Sequence, residues 1–211
     1  PVIDNSSIRE ADPTTKQAQK GGEKRSAKES ILAEALVASG VDESKMTAAL
    51  SMVEKTEEAV ASGVLVAGNV DDIFKDIATM DSSQFEQTAD IIETTNDAVT
   101  AGVMTLGNAG SFLADSAGSD SATMKAKNNA LKATSAAVKS GALSLNDADS
   151  MLTNMSKSSA ADLAATANVI LSASTSYASG DVNAEEFQKL SSNMAAVAKT
   201  SAAATASGGT L

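Results

Sequence analysis

Large apolar residues return every seven positions along much of this chain, with small or polar residues between them. This spacing keeps side chains on one face of a helix, so it predicts amphipathic helices of roughly five turns. The run occurs four times with a 39-residue period and no insertion or deletion, over 46–84, 85–123, 124–162 and 163–201. The aligned columns are Met46, Phe85, Met124 and Leu163; Val53, Ile92, Leu131 and Ile170; and Val60, Val99, Val138 and Tyr177. We expect the last two columns to be buried in every unit, with Tyr177 partly exposed because its unit ends the array.

A glycine follows each run, at Gly63, Gly102, Gly141 and Gly180. Glycine takes the left-handed conformation that ends a helix at little cost, so these four are predicted structural caps. A second, shorter helix then begins in each unit, with N-cap patterns such as Asn183 followed by Glu186. The sequence therefore predicts an all-α fold of four αα-hairpins, arranged as a solenoid or as an elongated helical bundle.

The flanks of the repeats differ from them in composition. Residues 1–28 hold both prolines and the Gly21–Gly22 pair, which predicts an extended polar arm. Residues 29–45 predict a leading helix and turn, in which Gly40 ends the helix and Asp42 caps the next one. Residues 202–211 predict an irregular tail.

Composition limits both the core and the partners. Aromatic residues are only 2% of the chain, so Ala, Val, Leu, Ile and Met must form the core, with methionine as a gap-filler. The net charge of −11 disfavours nucleic acid as a partner. Residues 1–28 are the exception, with six basic and four acidic side chains, so nucleic acid remains an option for the arm alone.

The residues that most active sites depend on are missing. The chain has no histidine and no cysteine, which removes the usual nucleophile–base pairs, disulfides and thiolate metal sites. Asn146–Ser150 resembles the start of a calcium loop, but Leu152 and Ser158 stand where that loop needs Gly and Glu. We therefore expect no enzyme activity, no catalytic residue, no cofactor or metal site, and no small-molecule substrate. With neither a signal peptide nor an 18-residue apolar run, we expect synthesis in the cytoplasm and no membrane insertion.

The arm carries the functional hypothesis. Its few large apolar residues cannot offset the entropy of ordering it, so we expect it to need contacts from outside its own chain. The predicted partner-binding residues are Val2, Ile3, Ile8, Lys16, Lys20, Lys24, Arg25 and Lys28, with the cations facing acidic helix positions of a neighbour. An acidic, Ser/Thr/Ala-rich helical chain is typical of multicopy particles. The leading hypothesis is thus a non-catalytic structural protein of a phage virion or bacterial surface particle, bound to its own copies or to other particle proteins. The alternative is a soluble helical-repeat adaptor that binds a protein partner.

Overall fold

The computed structural model describes residues 25–155 and 158–183, together with positions 185–187, 189, 190, 192, 193, 196 and 200 of the segment that follows. Within this part of the chain the regular structure is helical and contains no strand, which confirms the all-α prediction. The helices are α1 (Ala27–Ala38), α2 (Met46–Ala61), α3 (Ala67–Phe74), α4 (Ser82–Thr100), α5 (Leu106–Ser116), α6 (Ser121–Lys139), α7 (Leu145–Met155) and α8 (Ala160–Ser179). A 3-10 turn, Glu43–Lys45, leads into α2, and the described positions from 185 onward are also helical.

Long and short helices form two layers. The long helices pack in chain order, α2 on α4, α4 on α6, and α6 on α8, and the last of these pairings is the most extensive. The short helices pack in the same order, α3 on α5 and α5 on α7. Helices α4, α6 and α8 begin at Ser82, Ser121 and Ala160, which matches the 39-residue period of the sequence. Helix α1 packs on α2. It begins at Ala27, one residue earlier than the 39-residue period of the short helices would place it, so it corresponds to a short helix.

Polar side chains spaced 39 residues apart act as N-caps where the long helices, or the 3-10 turn before α2, begin. Asp42, Asp81, Asp120 and Ser159 each accept a hydrogen bond from a backbone N–H two or three residues further on. For Asp120 the donors are the backbone N–H and then the hydroxyl of Thr123, and these bonds lower the pKa of its carboxyl. Exposed N–H groups of the first turn are thereby satisfied at the same place in α4, α6 and α8, and in the 3-10 turn that leads into α2.

The first helix begins earlier than the sequence pattern predicted. The Ser26 hydroxyl accepts from the Glu29 N–H, while the Glu29 carboxylate accepts from the Ser26 N–H at 2.6 Å. This capping box starts α1 at Ala27, so Ala27 and Lys28 belong to the helix and not to an extended arm. Helix α1 therefore extends two residues into the range expected for the arm, because Ser26 and Glu29 form the Ser-x-x-Glu capping box.

The four predicted cap glycines lie at the ends of the long helices with φ between 73° and 81°. In α2 the Gly63 N–H donates to the Val60 carbonyl and the Val64 N–H to the Ala59 carbonyl. This pair of bonds is the Schellman motif, and it recurs after α4, α6 and α8. Each long helix therefore ends in the same turn, which returns the chain to the short-helix layer.

The core follows the columns of the repeat. Ile92, Leu131 and Ile170 are fully buried, whereas Val53, in the first unit, is only partly buried. A threonine column, Thr56, Thr95 and Thr134, is buried as well. Each hydroxyl donates a hydrogen bond to the carbonyl four residues earlier, so no polar group is left unsatisfied by this burial. In the third column Val99, Val138 and Tyr177 are partly buried. The Tyr177 and Phe187 rings pack in a tilted arrangement with their centroids 5.1 Å apart. Burial of Val60 was predicted wrongly: it is 46% exposed, because no long helix precedes α2 among the described residues.

Candidate interaction surface

No group of three or more Asp or Glu side chains is placed to hold a metal ion within the described ranges. A cavity of about 160 Å³ lies between the end of α3 and the starts of α4 and α6. Asp72 and Asp76 line it from adjacent turns of α3 and its continuation, together with Thr79, Gln84 and Thr88. This volume is below the roughly 300–1,000 Å³ of typical small-molecule sites, so the cavity does not define a ligand site.

Lys127 is the buried cation of the described core, at 3% exposure. Its Nζ donates to the Asp115 carbonyl at 2.8 Å, in the last turn of α5, where helix carbonyls lack intrahelical partners. Burial lowers the pKa of Lys127, and the negative charge of Asp115 opposes that shift. We interpret Lys127 as a side-chain cap that joins the two layers, since its ammonium is enclosed and not presented to a substrate.

The predicted arm residues are only partly covered by the described chain. Val2, Ile3, Ile8, Lys16, Lys20 and Lys24 lie outside the described residues. Arg25 binds Glu43 at 2.8 Å and Lys28 binds Glu57 at 2.5 Å, both within the same chain. The bond to Glu57 raises the pKa of Lys28. Arg25 and Lys28 therefore pair with acidic residues of their own chain, in the 3-10 turn and in α2.

Large apolar side chains that remain exposed are concentrated at the two ends of the described array. Ile31 and Val37 on α1 and Val60 on α2 are exposed at the first end, and Val169 and Leu171 on α8 are exposed at the other. The remaining three, Val66, Leu106 and Leu145, lie at the starts of short helices along one edge. The ends therefore differ chemically from the sides, because a repeat array has no neighbouring unit to cover its terminal faces.

A long helix within the array has two packing faces, one for the preceding long helix and one for the next. Polar contacts between α2 and α4 show which positions lie on each face. Lys55 and Ser62 of α2 contact Glu93 and Asn96 of α4, through an ion pair at 3.1 Å and a hydrogen bond at 2.6 Å. We call the side directed to the next long helix the forward face, and the side directed to the previous one the rear face. The forward face comprises positions such as 48, 52, 55 and 59 and their equivalents in the later repeats. The rear face comprises positions such as 50, 53, 57 and 60 and their equivalents.

The forward face of α8 is uncovered among the described residues. On α6 the four forward positions, Ala126, Ala130, Ala133 and Ala137, are all buried. On α8 the same positions are Ala165, Val169, Ser172 and Ser176; the first three are exposed, with Val169 at 47%, and Ser176 is partly buried. The rear face of α2 shows the converse, with Leu50 and Val53 partly buried and Val60 exposed.

These two faces were not singled out from the sequence. The aligned columns of Val53 and Val60 lie on the rear face, whereas most forward positions of α6 and α8 carry small residues with a weaker apolar signal. Val169 continues the apolar column of Met52, Ile91 and Ala130, so the sequence of the forward face gives no sign that α8 lacks a neighbour.

Comparison with known protein families, curated proteins and solved structures finds no match for this chain. Among the described helices, none is long and apolar enough to cross a membrane. Functional inference therefore rests on the surface of the array itself.

Proposed function

We propose that this chain is a non-catalytic structural component of a multicopy assembly, acting through helix packing and its N-terminal arm. In this proposal, four 39-residue αα-hairpins form one array, preceded by a half-repeat at α1. A phage virion or bacterial surface particle is the class of assembly that the acidic, Cys-free and His-free composition favours.

One observation carries the proposal: each end of the described array leaves apolar packing positions of a long helix exposed. A monomeric solenoid usually closes its ends with capping repeats whose outer face is polar. Here Val60 at one end and Val169 at the other are apolar, 46% and 47% exposed, at positions where an internal helix contacts its neighbour. Such ends favour a chain that is completed by other copies.

The adaptor hypothesis remains the second candidate, and the row of Val66, Leu106 and Leu145 favours it. Leu106 and Leu145 occupy the same position in successive units and are both exposed on one edge. An adaptor would present such a row to a partner and remain a monomer when isolated.

The arm provides the test that separates the two. Carbodiimide joins lysine to carboxylate without a spacer, so it reports direct contact between Lys16, Lys20 or Lys24 and acidic helix positions. A mixture of ¹⁴N and ¹⁵N full-length chains would be cross-linked and analysed by mass spectrometry. The proposal predicts cross-links that join arm lysines of one isotope to helix acids of the other.

A matched variant sharpens this experiment. Deleting residues 1–24 removes the arm but keeps Arg25, which binds Glu43, and Ser26, which caps α1. Circular dichroism should show an unchanged helical array, while incorporation into the assembly is lost. Cross-links confined to single-isotope chains, or normal assembly of the deletion variant, would contradict the role of the arm and favour the adaptor.

A further inference from the structure

The pairing of α6 with α8 shows what an occupied forward face looks like. Four alanines at i, i+4, i+7 and i+11 lie along α6, from Ala126 to Ala137, and all are buried. Small side chains let two helices approach closely, and this pairing is the most extensive in the long-helix layer. The equivalent face of α8 is built from Ala165, Val169, Ser172 and Ser176, which are also small or moderately sized.

The C-terminal flank of the chain does not carry the residues that would occupy this face. Extending the 39-residue register beyond α8 places Ala202 in the column of Met46, Phe85, Met124 and Leu163. It places Gly209 in the column of Val53, Ile92, Leu131 and Ile170. A rear face without its two large apolar columns cannot pack on α8 as α8 packs on α6.

The N-terminal flank fails in the same way for the rear face of α2. A preceding long helix in the 39-residue register would hold Pro13 in its interior, and proline breaks a helix there. Its forward positions would be Arg9, Pro13, Lys16 and Lys20, in place of the small apolar residues that α6 uses. In this register, neither residues 1–24 nor residues 201–211 carry the residue types with which the described long helices pack on one another.

We propose that the forward face of α8 docks on the rear face of α2 in a second copy of this chain, so that copies join head to tail. This inference rests on the proposed function, whose assembly it specifies. The long-helix layer then continues from one copy into the next with the packing that α4 and α6 already use. Because the two surfaces differ, the contact is heterologous and each bound copy offers a new end.

The register fixes which residues meet. Within the chain, Ser62 at the forward end of α2 bonds to Asn96 on the rear face of α4. Three repeats after Ser62 stands Ser179, and one repeat before Asn96 stands Glu57. Ser179 of one copy therefore lies opposite Glu57 of the next, which already pairs with Lys28 of its own α1. Val169 packs near Leu50 and Val53 of that copy.

Charge is compatible with this docking. Helix α8 carries a single charged residue, Asp162 in its first turn, so its forward face does not repel Glu54 or Glu57 of the next α2. The contact involves mainly one helix pair at each end, which is small compared with interfaces of about 1,600 Å². We expect dissociation constants of about 1 µM to 1 mM, so that ordered growth requires the high local concentration of an assembly.

Two charge variants of the full chain test the proposal by sedimentation velocity. Val169→Glu blocks the forward face and Val60→Glu blocks the rear face, and each alone should remain a monomer at concentrations where the wild type forms a concentration-dependent series. Mixed in equal amounts, they should form a one-to-one dimer and nothing larger, because each variant keeps one intact face. We expect each single substitution to weaken self-association by about tenfold or more.

Leu171→Glu is the matched control, since Leu171 is also 47% exposed on α8 but lies outside the forward face. It should self-associate like the wild type, and circular dichroism should show equal helix content in all variants. Wild-type association that survives both charge variants overturns the head-to-tail contact and leaves the proposed structural role standing. A wild type that stays monomeric to about 1 mM overturns both.

Discussion

Helices α6 and α8 occupy equivalent places in the repeat but have different surroundings. On α6 both packing faces are covered, and even Lys127 and Asn128 are almost completely buried. On α8 the described chain covers only the rear face, and Val169 and Leu171 are each nearly half exposed. The same 39-residue pattern therefore leaves packing positions covered in the interior and exposed at the ends of the described array. In a repeat protein each interior unit is stabilised by contacts with two neighbouring units, whereas a terminal unit has only one such neighbour.

Truncation in the interior should have the largest effect. Leu131→Ala removes a fully buried side chain from α6, so the free energy of unfolding should fall by about 2–5 kcal/mol. Urea denaturation followed by circular dichroism measures this loss. At the first end, Val60→Ala should change the same quantity by less than about 0.5 kcal/mol, because Val60 is largely exposed. Similar losses for the two variants would remove the distinction between interior and ends.

Substitutions in the turns should lower stability by a similar amount in interior and terminal units, since the backbone strain that they introduce is local. Gly102 has a φ of 73°, so Gly102→Ala should cost about 1–2 kcal/mol through left-handed strain alone, because a Cβ there would meet no neighbouring atom. Gly63→Ala, in the first unit, should cost the same amount. Gly107 lies in the first turn of α5 without positive φ or close neighbours, so Gly107→Ala should instead stabilise by up to about 0.5 kcal/mol. Thermal unfolding of the three variants measures these changes in stability. A loss of stability in Gly107→Ala would contradict the assignment of the cost to left-handed backbone strain.

The smallest expected effect concerns the buried cation of the interior. Because burial lowers the pKa of Lys127 below 10.5, the folded state binds fewer protons than the unfolded state as pH rises from the lowered pKa towards 10.5. Lys127 therefore makes the protein more stable with rising pH over that interval. Lys127→Met should leave stability at neutral pH within about 1 kcal/mol of the wild type, since the lost bond to Asp115 is offset by the removed cost of burying a charge. Urea denaturation across this alkaline interval should show that the free energy of unfolding no longer rises with pH in the variant. An unchanged rise in the variant would mean that another group causes it.

Much of this fold could be predicted from the sequence because the repeat supplies the same information several times. The large apolar columns around Ile92 and Leu131 marked the core, and the glycine spacing marked the turns. Tyr177 is partly exposed, as expected for the last unit, but exposure at the first end was not predicted, and Val60 is 46% exposed there. The reason is directional: this column lies on the rear face, which only the first long helix of the described array leaves uncovered.

Polar contacts between units could not be predicted from the columns. Ser62 bonds to Asn96 between α2 and α4, but the equivalent pair in the next interface is Ala101 and Ser135. Alanine has no hydroxyl, which leaves the buried Ser135 Oγ without a partner. Such contacts depend on two residues that lie far apart in sequence, and each interface combines them differently. The candidate surface was missed for the same reason, because it is defined by which neighbour is missing and not by any motif.

The absence of native cysteine allows a direct measurement of the head-to-tail contact. Ser62→Cys with Asn96→Cys should close a disulfide within one chain, since these short side chains are already within 2.6 Å at their polar atoms. Ser179→Cys with Glu57→Cys occupies the equivalent positions across two copies. Mild oxidation followed by non-reducing electrophoresis should give a monomer for the first pair and a ladder of covalent multimers for the second. A second pair that remains monomeric, while the first closes fully, would contradict the continuation of the long-helix layer between copies.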